Sequence, residues 1–326
     1  MEISTIVPTY NRLKDLKECL DSIFIQKFLP KEVIIIDNSD KEKDEIKKII
    51  EDLKPSFTKK NIDLKYIRNE KENSLTVAKN IGTKYASGEI ISFLDDDVTI
   101  DEKYYDEIIK IYGQHPEALG VEGRIVFEEK KGIKFILLQI LGKLFYLGFK
   151  EKNKCKLLPS LGVVYPMENK IVNCEWLSGA STFKRIILKE IKPDENLKKY
   201  SDNEDLDLSY RIFKKYPGSL FFSPEAKYWH KLSKQGRLMK RDSIYMSEIY
   251  RLYLFYKLID QSLKNKLIYL WSRVIGGMTF KIISVLSLKS TPPEIIYLIK
   301  AYFLCLKHIK EIKNGDLKFF NEKYVK

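Results

Sequence analysis

The chain has 326 residues, of which 44% are hydrophobic and 32% charged, and this composition excludes an intrinsically disordered protein. Its length is sufficient for one large domain or two. The net charge of +13 is concentrated near the end, because residues 231–326 hold 19 Lys and Arg against 7 Asp and Glu. A near-neutral region is therefore followed by a basic one, an asymmetry that bears on binding partners rather than on fold.

Short apolar strands alternate with amphipathic helices over the first part of the chain. Such alternation is typical of an α/β protein with a parallel sheet and right-handed crossovers. The first strand is predicted to end at Pro8, which cannot continue a central ladder. In chain order, the predicted strands and helices are Ile3–Val7, Leu13–Phe24, Glu32–Ile36, Asp44–Leu53, Leu64–Ile67, Val77–Tyr85 and the strand that starts at Ile90.

The strand that starts at Ile90 runs into three consecutive aspartates at 95–97. Unpaired charges are costly to bury, so we expect these acids at the carboxyl end of the strand, where a cation compensates them. The first two strands also end in polar residues, at Pro8–Asn11 and at Asp37. Ligands of parallel sheets bind at this edge, and carboxylate oxygens suit Mg²⁺ or Mn²⁺. The alternative is a solvated acidic loop that caps the next helix.

Four short motifs carry most of the functional signal. They are Val7-Pro8-Thr9-Tyr10-Asn11-Arg12, Ile35-Ile36-Asp37-Asn38-Ser39, Ala78-Lys79-Asn80-Ile81-Gly82 and Phe93-Leu94-Asp95-Asp96-Asp97. In order and spacing the chain resembles family 2 glycosyltransferases of the GT-A fold, a Rossmann-like, nucleotide-binding mixed sheet flanked by helices. The resemblance covers roughly residues 3–230. It implies a UDP- or GDP-sugar as donor and Mn²⁺ or Mg²⁺ as the metal.

The resemblance also implies roles for individual residues at the strand ends. The segment after the first strand and Asp37 would hold the nucleotide base, and Asp95 would lie nearer the ribose than Asp97. Lys79 stands where the family often has Arg, so contacts there are expected to differ, since Lys lacks the planar fork. Gly179 lies in a loop that lines the sugar and acceptor pocket in the family, although an ordinary helix-entry turn is the alternative. The implied donor-binding residues are Pro8, Thr9, Tyr10, Asn11, Asp37, Lys79, Asp95, Asp96 and Gly179.

A second acidic cluster lies at residues 202–207. Its simplest explanation is helix capping, because the helix dipole favours acids in the first turn. The resemblance instead implies that Asp205 is the catalytic base, with Glu204 beside it contacting the acceptor. Clustered carboxylates raise one another's pKa, which suits a base near neutral pH. The activated acceptor hydroxyl would displace the diphosphate from the opposite face and invert the anomeric centre. Asp202 and Asp207 are alternative bases.

His230 ends another predicted strand, at Phe221–His230. A histidine in such a setting is more often structural than a ligand, but some family members place a metal-binding His about this far beyond the base. Imidazole accepts Mn²⁺ alongside carboxylates. The implied metal ligands are Asp97, Asp95 and His230. The residues predicted to clamp the diphosphate are Lys231, Lys234 and Arg237.

Two parts of the chain, residues 133–149 and the region beyond Ser243, are rich in apolar residues but lack the long uninterrupted apolar run of a membrane span. Residues 133–149 are short for a span and are interrupted by Lys134 and Lys143, so they form either a core helix or a helix at a lipid interface. Beyond Ser243, three helical runs combine apolar faces with many Lys. This pattern favours helices that lie on an anionic membrane surface. The alternative is a soluble helical subdomain with solvated lysines.

We therefore predict two domains. Residues 1–230 form a GT-A catalytic domain, with a nucleotide-binding half at 1–100 and an acceptor-binding half at 101–230. Residues 231–326 form a basic helical region in contact with a membrane. No secretory signal is expected before the first strand, so the predicted location is cytoplasmic and peripheral, at the inner face of the cell membrane.

The predicted activity is transfer of a hexose from the nucleotide sugar to a hydroxyl of a lipid-linked or cell-surface glycan. A nucleotidyltransferase is one alternative, although such enzymes usually carry a Gly-rich, basic loop after the first strand. A non-enzymatic nucleic-acid-binding protein is another, suggested by the pI of about 9.2. The sequence contains no groove-reading motif that supports it, so nucleic acid is not an expected partner.

Overall fold

The computed structural model describes residues 1–126, 132–167, 170–233, 235 and 238–324. It is a mixed α/β structure with a central sheet flanked by helices and a helical C-terminal region, so the predicted fold class is confirmed. The chain divides into two compact units. The first comprises Met1–Glu128, Glu168–Glu195 and Lys199–Arg237, and the second comprises Glu129–Met167, Asn196–Lys198 and Leu238–Lys326.

The strands and helices are numbered in chain order. The strands are β1 (Ile3–Thr9), β2 (Glu32–Asp37), β3 (Asp63–Arg68), β4 (Ile90–Phe93), β5 (Val98–Ile100), β6 (Gly120–Ile125), β7 (Phe149–Glu151), β8 (Lys156–Leu157), β9 (Val163–Pro166), β10 (Val172–Cys174), β11 (Ser181–Lys184) and β12 (Leu220–His230). The helices are α1 (Leu13–Phe24), α2 (Lys43–Lys59), α3 (Leu75–Tyr85), α4 (Tyr104–Gln114), α5 (Ile133–Leu144), α6 (Arg185–Glu190), α7 (Glu204–Lys215), α8 (Lys240–Leu258), α9 (Leu263–Leu270), α10 (Gly277–Leu286), α11 (Pro293–Lys307), α12 (Ile309–Lys313) and α13 (Lys318–Tyr324), with a π-helix at Trp271–Gly276.

A mixed sheet forms the centre of the first unit. Among the described residues it has nine strands in the order β10-β12-β6-β11-β4-β1-β2-β3, with β5 paired to β12. β1 is parallel to both β2 and β4, whereas β11 is antiparallel to β4 and β6. Every residue of β1 is buried, as expected for a strand that is covered on both faces.

Helix α1 shows how the sequence pattern produces the packing around this sheet. Leu16, Leu20 and Ile23 recur every three or four residues, which places them on one face of the helix. All three are fully buried, and they belong to one apolar cluster that also contains Val7 of β1 and Val33 of β2. The apolar face of α1 therefore packs against the sheet and holds the helix directly after the end of β1.

The first strand continues through Pro8 to Thr9, so the prediction that Pro8 ends it is wrong. Pro8 pairs with Ile36 of β2, whereas pairing with β4 ends at Ile6. Ile6 faces β4, because its carbonyl oxygen accepts a hydrogen bond from Leu94 N (3.1 Å). Backbone groups two residues apart in a strand point the same way, so the nitrogen of Pro8 also points toward the β4 side. Pairing with β4 has already ended there, and the missing N–H therefore costs no hydrogen bond of the sheet.

The second unit is mainly helical, with a small sheet in the order β7-β9-β8. In the part of the chain that the structure describes, no helix combines the length and apolarity needed to cross a membrane. Helix α5 exposes Ile133, Ile136 and Ile140 to 86%, 58% and 57%. The interpretation of this segment as a core helix is therefore wrong.

Gly123 of β6 lies where a side chain has no room. A β-carbon there would lie 2.2 Å from Ala226 O and 2.4 Å from Tyr104 Cε2, so we expect Gly123→Ala to lower the free energy of unfolding by about 1–3 kcal/mol. Gly113→Ala is the control, since a β-carbon at this exposed position of α4 meets no atom within 4 Å and helix propensity favours Ala by up to ~1 kcal/mol. Urea unfolding measures both. Equal stability of Gly123→Ala and wild type would contradict this packing.

Candidate active site

The carboxyl ends of β1, β2 and β4 meet at one edge of the sheet. Thr9 pairs with Asp37 at the ends of β1 and β2, and β4 ends at Phe93, shortly before the aspartates. Thr9 Oγ1 donates a hydrogen bond to Asp96 Oδ2 (2.8 Å). This bond ties the end of the first strand to the acidic segment.

Asp96 is bound by side chains of the protein itself. Arg12 Nη1 donates a hydrogen bond to Asp96 Oδ1 (2.9 Å), while Thr9 binds the other carboxylate oxygen. Asp96 is only 4% exposed, and burial raises its pKa to about 7 although Arg12 and Thr9 act in the opposite direction. Arg12 is in turn held by a hydrogen bond from its Nε to Gln235 O (2.8 Å). Both carboxylate oxygens of Asp96 are thus already bound by side chains of the protein.

Asp95, Asp97 and His230 lie close enough together to share one metal ion. One ligand atom from each lies within 4.8 Å of the others, and His230 Nε2 is 3.0 Å from Asp97 Oδ1. Burial raises the pKa of Asp97, but the hydrogen bond and charge of His230 outweigh it and the pKa falls below its usual value. Two carboxylates and an imidazole form a donor set that Mn²⁺ accepts. These residues therefore fit a divalent ion.

Strand pairing explains how His230 reaches the acids. β5 begins directly after Asp97, and Val98 of β5 pairs with His230 at the end of β12. The backbone continues the connection, because Lys231 N donates to Asp97 O (3.0 Å) and Ser233 N donates to Asp97 Oδ2 (2.9 Å). The position of the imidazole is thus set by the sheet and not by a flexible loop.

The residues predicted to hold the nucleotide base are tied to the end of β2 and the loop that follows. Asp37 is fully buried and accepts a hydrogen bond from the Tyr66 hydroxyl (2.8 Å). Tyr10 and Asn11 both donate to Asp40, at 3.3 Å and 2.5 Å. Asn11 has a φ of 52°, a left-handed conformation that Asn tolerates better than most residues. The loops after β1 and β2 therefore hold each other in place.

Lys79 and Glu204 form a buried ion pair. Their side chains are 2% and 5% exposed, and Lys79 Nζ lies 5.1 Å from the centroid of the Phe93 ring. Burial raises the pKa of Glu204, although the charge of Lys79 opposes this shift. Glu204 Oε2 is buried and has no hydrogen-bond partner within the described ranges. Lys79 thus binds Oε1 of Glu204, whereas Oε2 accepts no hydrogen bond among the described residues.

Asp205 and Asp95 face one another across Gly179. A β-carbon on Gly179 would lie 3.5 Å from Asp95 Oδ2 and 3.9 Å from Asp205 Oδ2, so the missing side chain leaves space between the two carboxylates. Burial and the charge of Glu204 raise the pKa of Asp205 to about 7. Asp205 therefore titrates near neutral pH, as a general base requires.

The other predicted residues are placed differently. Asp207 is fully buried and accepts hydrogen bonds from Arg211 Nε (3.0 Å) and Nη2 (2.7 Å), whereas Asp202 is half-buried just before α7. Lys231 forms ion pairs with Asp15 and Glu18 of α1. The remaining two residues of the predicted diphosphate clamp, Lys234 and Arg237, lie outside the described residues.

Sequence analysis gave no role to two residues that support the site. Arg12 binds Asp96, and a cation near three consecutive acids is what the cost of burying charge requires. Glu122 of β6 is 1% exposed and accepts a hydrogen bond from Ser178 N, beside Gly179. Burial raises the pKa of Glu122 to about 7. The sequence feature that could have indicated Glu122 is a glutamate inside a short strand, directly after Val121.

Comparison with known proteins gives a consistent assignment. A sequence profile described as Glycosyl transferase family 2 matches residues 4–167, half of the chain. The glucosyl-dolichyl phosphate glucuronosyltransferase of Haloferax volcanii is 24% identical over 129 residues, 39% of this chain and 39% of that protein. The chain spans only 20% to 39% of the length of the first curated relatives it matches.

Two solved structures share the fold over most of the chain. The structure of S. aureus TarS 1-349 in complex with UDP-GlcNAc is 18% identical with a TM-score of 0.57, over 100% of this chain and 92% of that one. Mannosyltransferase PcManGT from Pyrobaculum calidifontis, in complex with GDP-Man and Mn²⁺, is 15% identical with a TM-score of 0.57, over 93% of this chain and 86% of that one. Together with the profile match, this likeness leads to one conclusion: the chain belongs to glycosyl transferase family 2.

Proposed function

We propose that this protein transfers a sugar from a nucleotide-diphosphate sugar to an acceptor hydroxyl, with inversion at the anomeric carbon. The observation that carries the proposal is the space beside Gly179, where a β-carbon would lie 3.5 Å from Asp95 Oδ2 and 3.9 Å from Asp205 Oδ2. A single displacement requires a base on one side of the sugar and the donor phosphates on the other. Membership of the family favours this reaction over nucleotide transfer or nucleic-acid binding.

A UDP- or GDP-sugar is the proposed donor. TarS holds UDP-GlcNAc, and PcManGT holds GDP-Man with Mn²⁺, which supports both the donor class and a divalent ion. The proposed base-binding residues lie around Thr9 and Asp37, which end adjacent strands. Mn²⁺ or Mg²⁺, held by Asp95, Asp97 and His230, would neutralise charge on the departing diphosphate.

Asp205 is the proposed general base. Its carboxylate takes the proton of the acceptor hydroxyl, and the oxygen forms a bond to the anomeric carbon as the bond from that carbon to the diphosphate breaks. The electron pair of the broken bond leaves with the diphosphate. Glu204 Oε2, which lacks a partner within the described ranges, would accept a hydrogen bond from the acceptor. Lys79 binds the other oxygen of Glu204 and so fixes its orientation.

The proposed acceptor is a lipid-linked or cell-surface glycan, and the proposed location is the inner face of the cell membrane. A glucosyl-dolichyl phosphate appears in the name of the Haloferax relative, which supports a lipid-linked acceptor. Leu286 and Phe303 in the second unit are 79% and 67% exposed, in a part of the chain with a large excess of Lys and Arg. Exposed apolar groups with basic neighbours suit an anionic membrane surface.

A donor screen tests the activity. With Mn²⁺ or Mg²⁺ and a panel of UDP- and GDP-sugars, we expect at least one donor to release nucleotide diphosphate in the presence of acceptor. Asp97→Asn should lower this rate by about a hundredfold or more, because charge stabilisation of the leaving group is lost. Asp52→Asn, which removes an exposed carboxylate on α2, is the control and should keep full activity. Full activity of Asp97→Asn would refute the assignment.

Binding of Mn²⁺ can be measured without any reaction. Isothermal titration calorimetry of Asp97→Asn and of His230→Gln should show affinity reduced by about tenfold or more, since each variant loses a ligand atom. The Asp52→Asn control should bind as wild type does. Unchanged affinity in both site variants would place the ion elsewhere.

The pH profile tests the proposed base. A base acts in its deprotonated form, and the pKa of Asp205 is about 7, so kcat/KM should fall as the pH drops through about 7. Asp205→Asn should lower kcat by about 10²–10⁴-fold. Glu122 also has a pKa of about 7, and Glu122→Gln is therefore the control that should keep the acidic limb. Loss of the limb in Glu122→Gln, with activity retained in Asp205→Asn, would exclude Asp205 as the base.

A further inference from the structure

A cavity of about 540 Å³ opens within the second unit. Its walls come from α8, the π-helix, α10, α11 and the turn after α5. On α8, Ile244, Ser247, Glu248 and Arg251 recur at helical spacing and line one side. None of these residues takes part in the proposed sugar transfer, so the cavity requires its own explanation.

Two of the three basic side chains that line this cavity form ion pairs with carboxylates. Arg273 forms a buried ion pair with Glu248, and Lys281 Nζ lies 3.0 Å from Glu294 Oε2. Arg251 has no carboxylate within ion-pair distance in the part of the chain that the structure describes, and its Nε is buried without a hydrogen-bond partner there. The cavity therefore carries an excess positive charge on Arg251.

Arg251 lines the cavity, and its buried Nε has no hydrogen-bond acceptor among the described residues. Burying such a donor without an acceptor costs free energy, and a bound anion would remove that cost. Guanidinium groups bind phosphate and carboxylate through planar, charge-assisted hydrogen bonds. Ser247, which also lines the cavity, offers a hydroxyl donor to the same ligand. The polar part of the cavity thus suits a phosphate.

The rest of the cavity and its surroundings are apolar. Leu147, Phe280 and Leu298 are among the residues that line it. On α10, the exposed residues Ile282 and Leu286, at 43% and 79%, alternate with those that line the cavity. A free phosphate gains nothing from contact with apolar side chains, whereas the hydrocarbon chains of an amphipathic phosphate ligand can pack against them.

The charge of this segment matches the same ligand. Residues 261–293 contain five Lys or Arg and no Asp or Glu. On α11, Ile296, Phe303 and Leu306 are exposed, and Lys300 and Lys307 lie among them. Lysines among exposed apolar side chains are typical of helices whose apolar face enters lipid while the amines reach anionic headgroups.

We infer that this cavity binds the phosphate headgroup of an anionic membrane lipid, with Arg251 as the main phosphate ligand and the exposed faces of α10 and α11 against the acyl chains. The inference rests on the proposed membrane location, which it narrows to one lipid-binding site. It does not depend on the chemistry assigned to Asp205. It gives the second unit a role in holding the protein at the surface where a lipid-linked acceptor resides.

A thermal-shift experiment with soluble lipids tests this site. Dihexanoyl phosphatidic acid, used below its micelle concentration, should raise the melting temperature of the full chain, because a ligand that binds the folded state stabilises it. Dihexanoyl phosphatidylcholine should have little effect, since its headgroup carries no net negative charge. Inorganic phosphate should act more weakly than phosphatidic acid, since it lacks the chains.

Substitutions of Arg251 connect this response to the cavity. Arg251→Gln should weaken the affinity for dihexanoyl phosphatidic acid by about tenfold or more, the loss expected for one charge-assisted hydrogen bond. Arg251→Lys keeps the charge and should retain part of the response, and it remains informative if Arg251→Gln fails to fold. Lys48→Gln, which removes the same charge from an exposed position of α2 in the first unit, is the control and should respond as wild type does.

Several results would overturn the inference. These are an absent response in wild type, an undiminished response in Arg251→Gln, or equal stabilisation by inorganic phosphate and phosphatidic acid, which would indicate a free phosphate as the ligand. A dimer that dissociates in Phe303→Ser, in a protein that ignores lipid, would identify a second copy as the partner of the apolar face. Nucleotide diphosphate release is measured separately, so failure of one proposal leaves the other intact.

Discussion

The candidate site depends on how three consecutive carboxylates are compensated at the end of one strand. Desolvating them without cations would cost more than the fold can supply. The protein neutralises the middle one itself, since Arg12 and Thr9 bind both oxygens of Asp96. One ligand atom each from Asp95, Asp97 and His230 lies within 4.8 Å of the others, a cluster that fits the proposed divalent ion. Arg12, whose Nη1 also lies 3.5 Å from Asp97 Oδ2, thus orders the acidic segment, and the proposed metal would bind the outer two acids.

The presence of a lysine at position 79, and not an arginine, has a physical consequence for Glu204. A buried ion pair gains little net stability because of its desolvation cost, so the pair between Lys79 and Glu204 is better understood as a positioning device. The planar fork of an arginine would bind both oxygens of a carboxylate. The single ammonium of Lys79 binds Glu204 Oε1 and leaves Oε2 without a partner among the described residues. This choice of residue keeps one carboxylate oxygen available beside Asp205.

The parts of the fold that sequence predicts are those set by local pattern. Alternating apolar strands and amphipathic helices identify the sheet, and an apolar run that ends in acids identifies its edge. Contacts between distant segments do not appear in such patterns, and neither the partner of Arg12 nor the route of His230 to Asp97 could be derived in this way. His230 was predicted from family resemblance, and the pairing of β5 with β12 gives the structural reason. The prediction that Pro8 ends the first strand is wrong because the effect of a proline depends on where the neighbouring strand ends, and pairing with β4 ends at Ile6.

Glu204 Oε2 in the first unit and Arg251 Nε in the second are both buried without a hydrogen-bond partner in the described ranges. Folded proteins satisfy nearly all buried polar groups, so an exception calls for a reason. Their charges are opposite, and they therefore call for different ligands. The carboxylate oxygen can accept a hydrogen bond from the hydroxyl of the proposed acceptor, and the guanidinium nitrogen can donate one to the phosphate of the proposed lipid. Asn203 Nδ2 and Gln261 Oε1 also lack partners within the described ranges, but Glu204 and Arg251 are the two charged groups, and these are the two that the proposed ligands would satisfy.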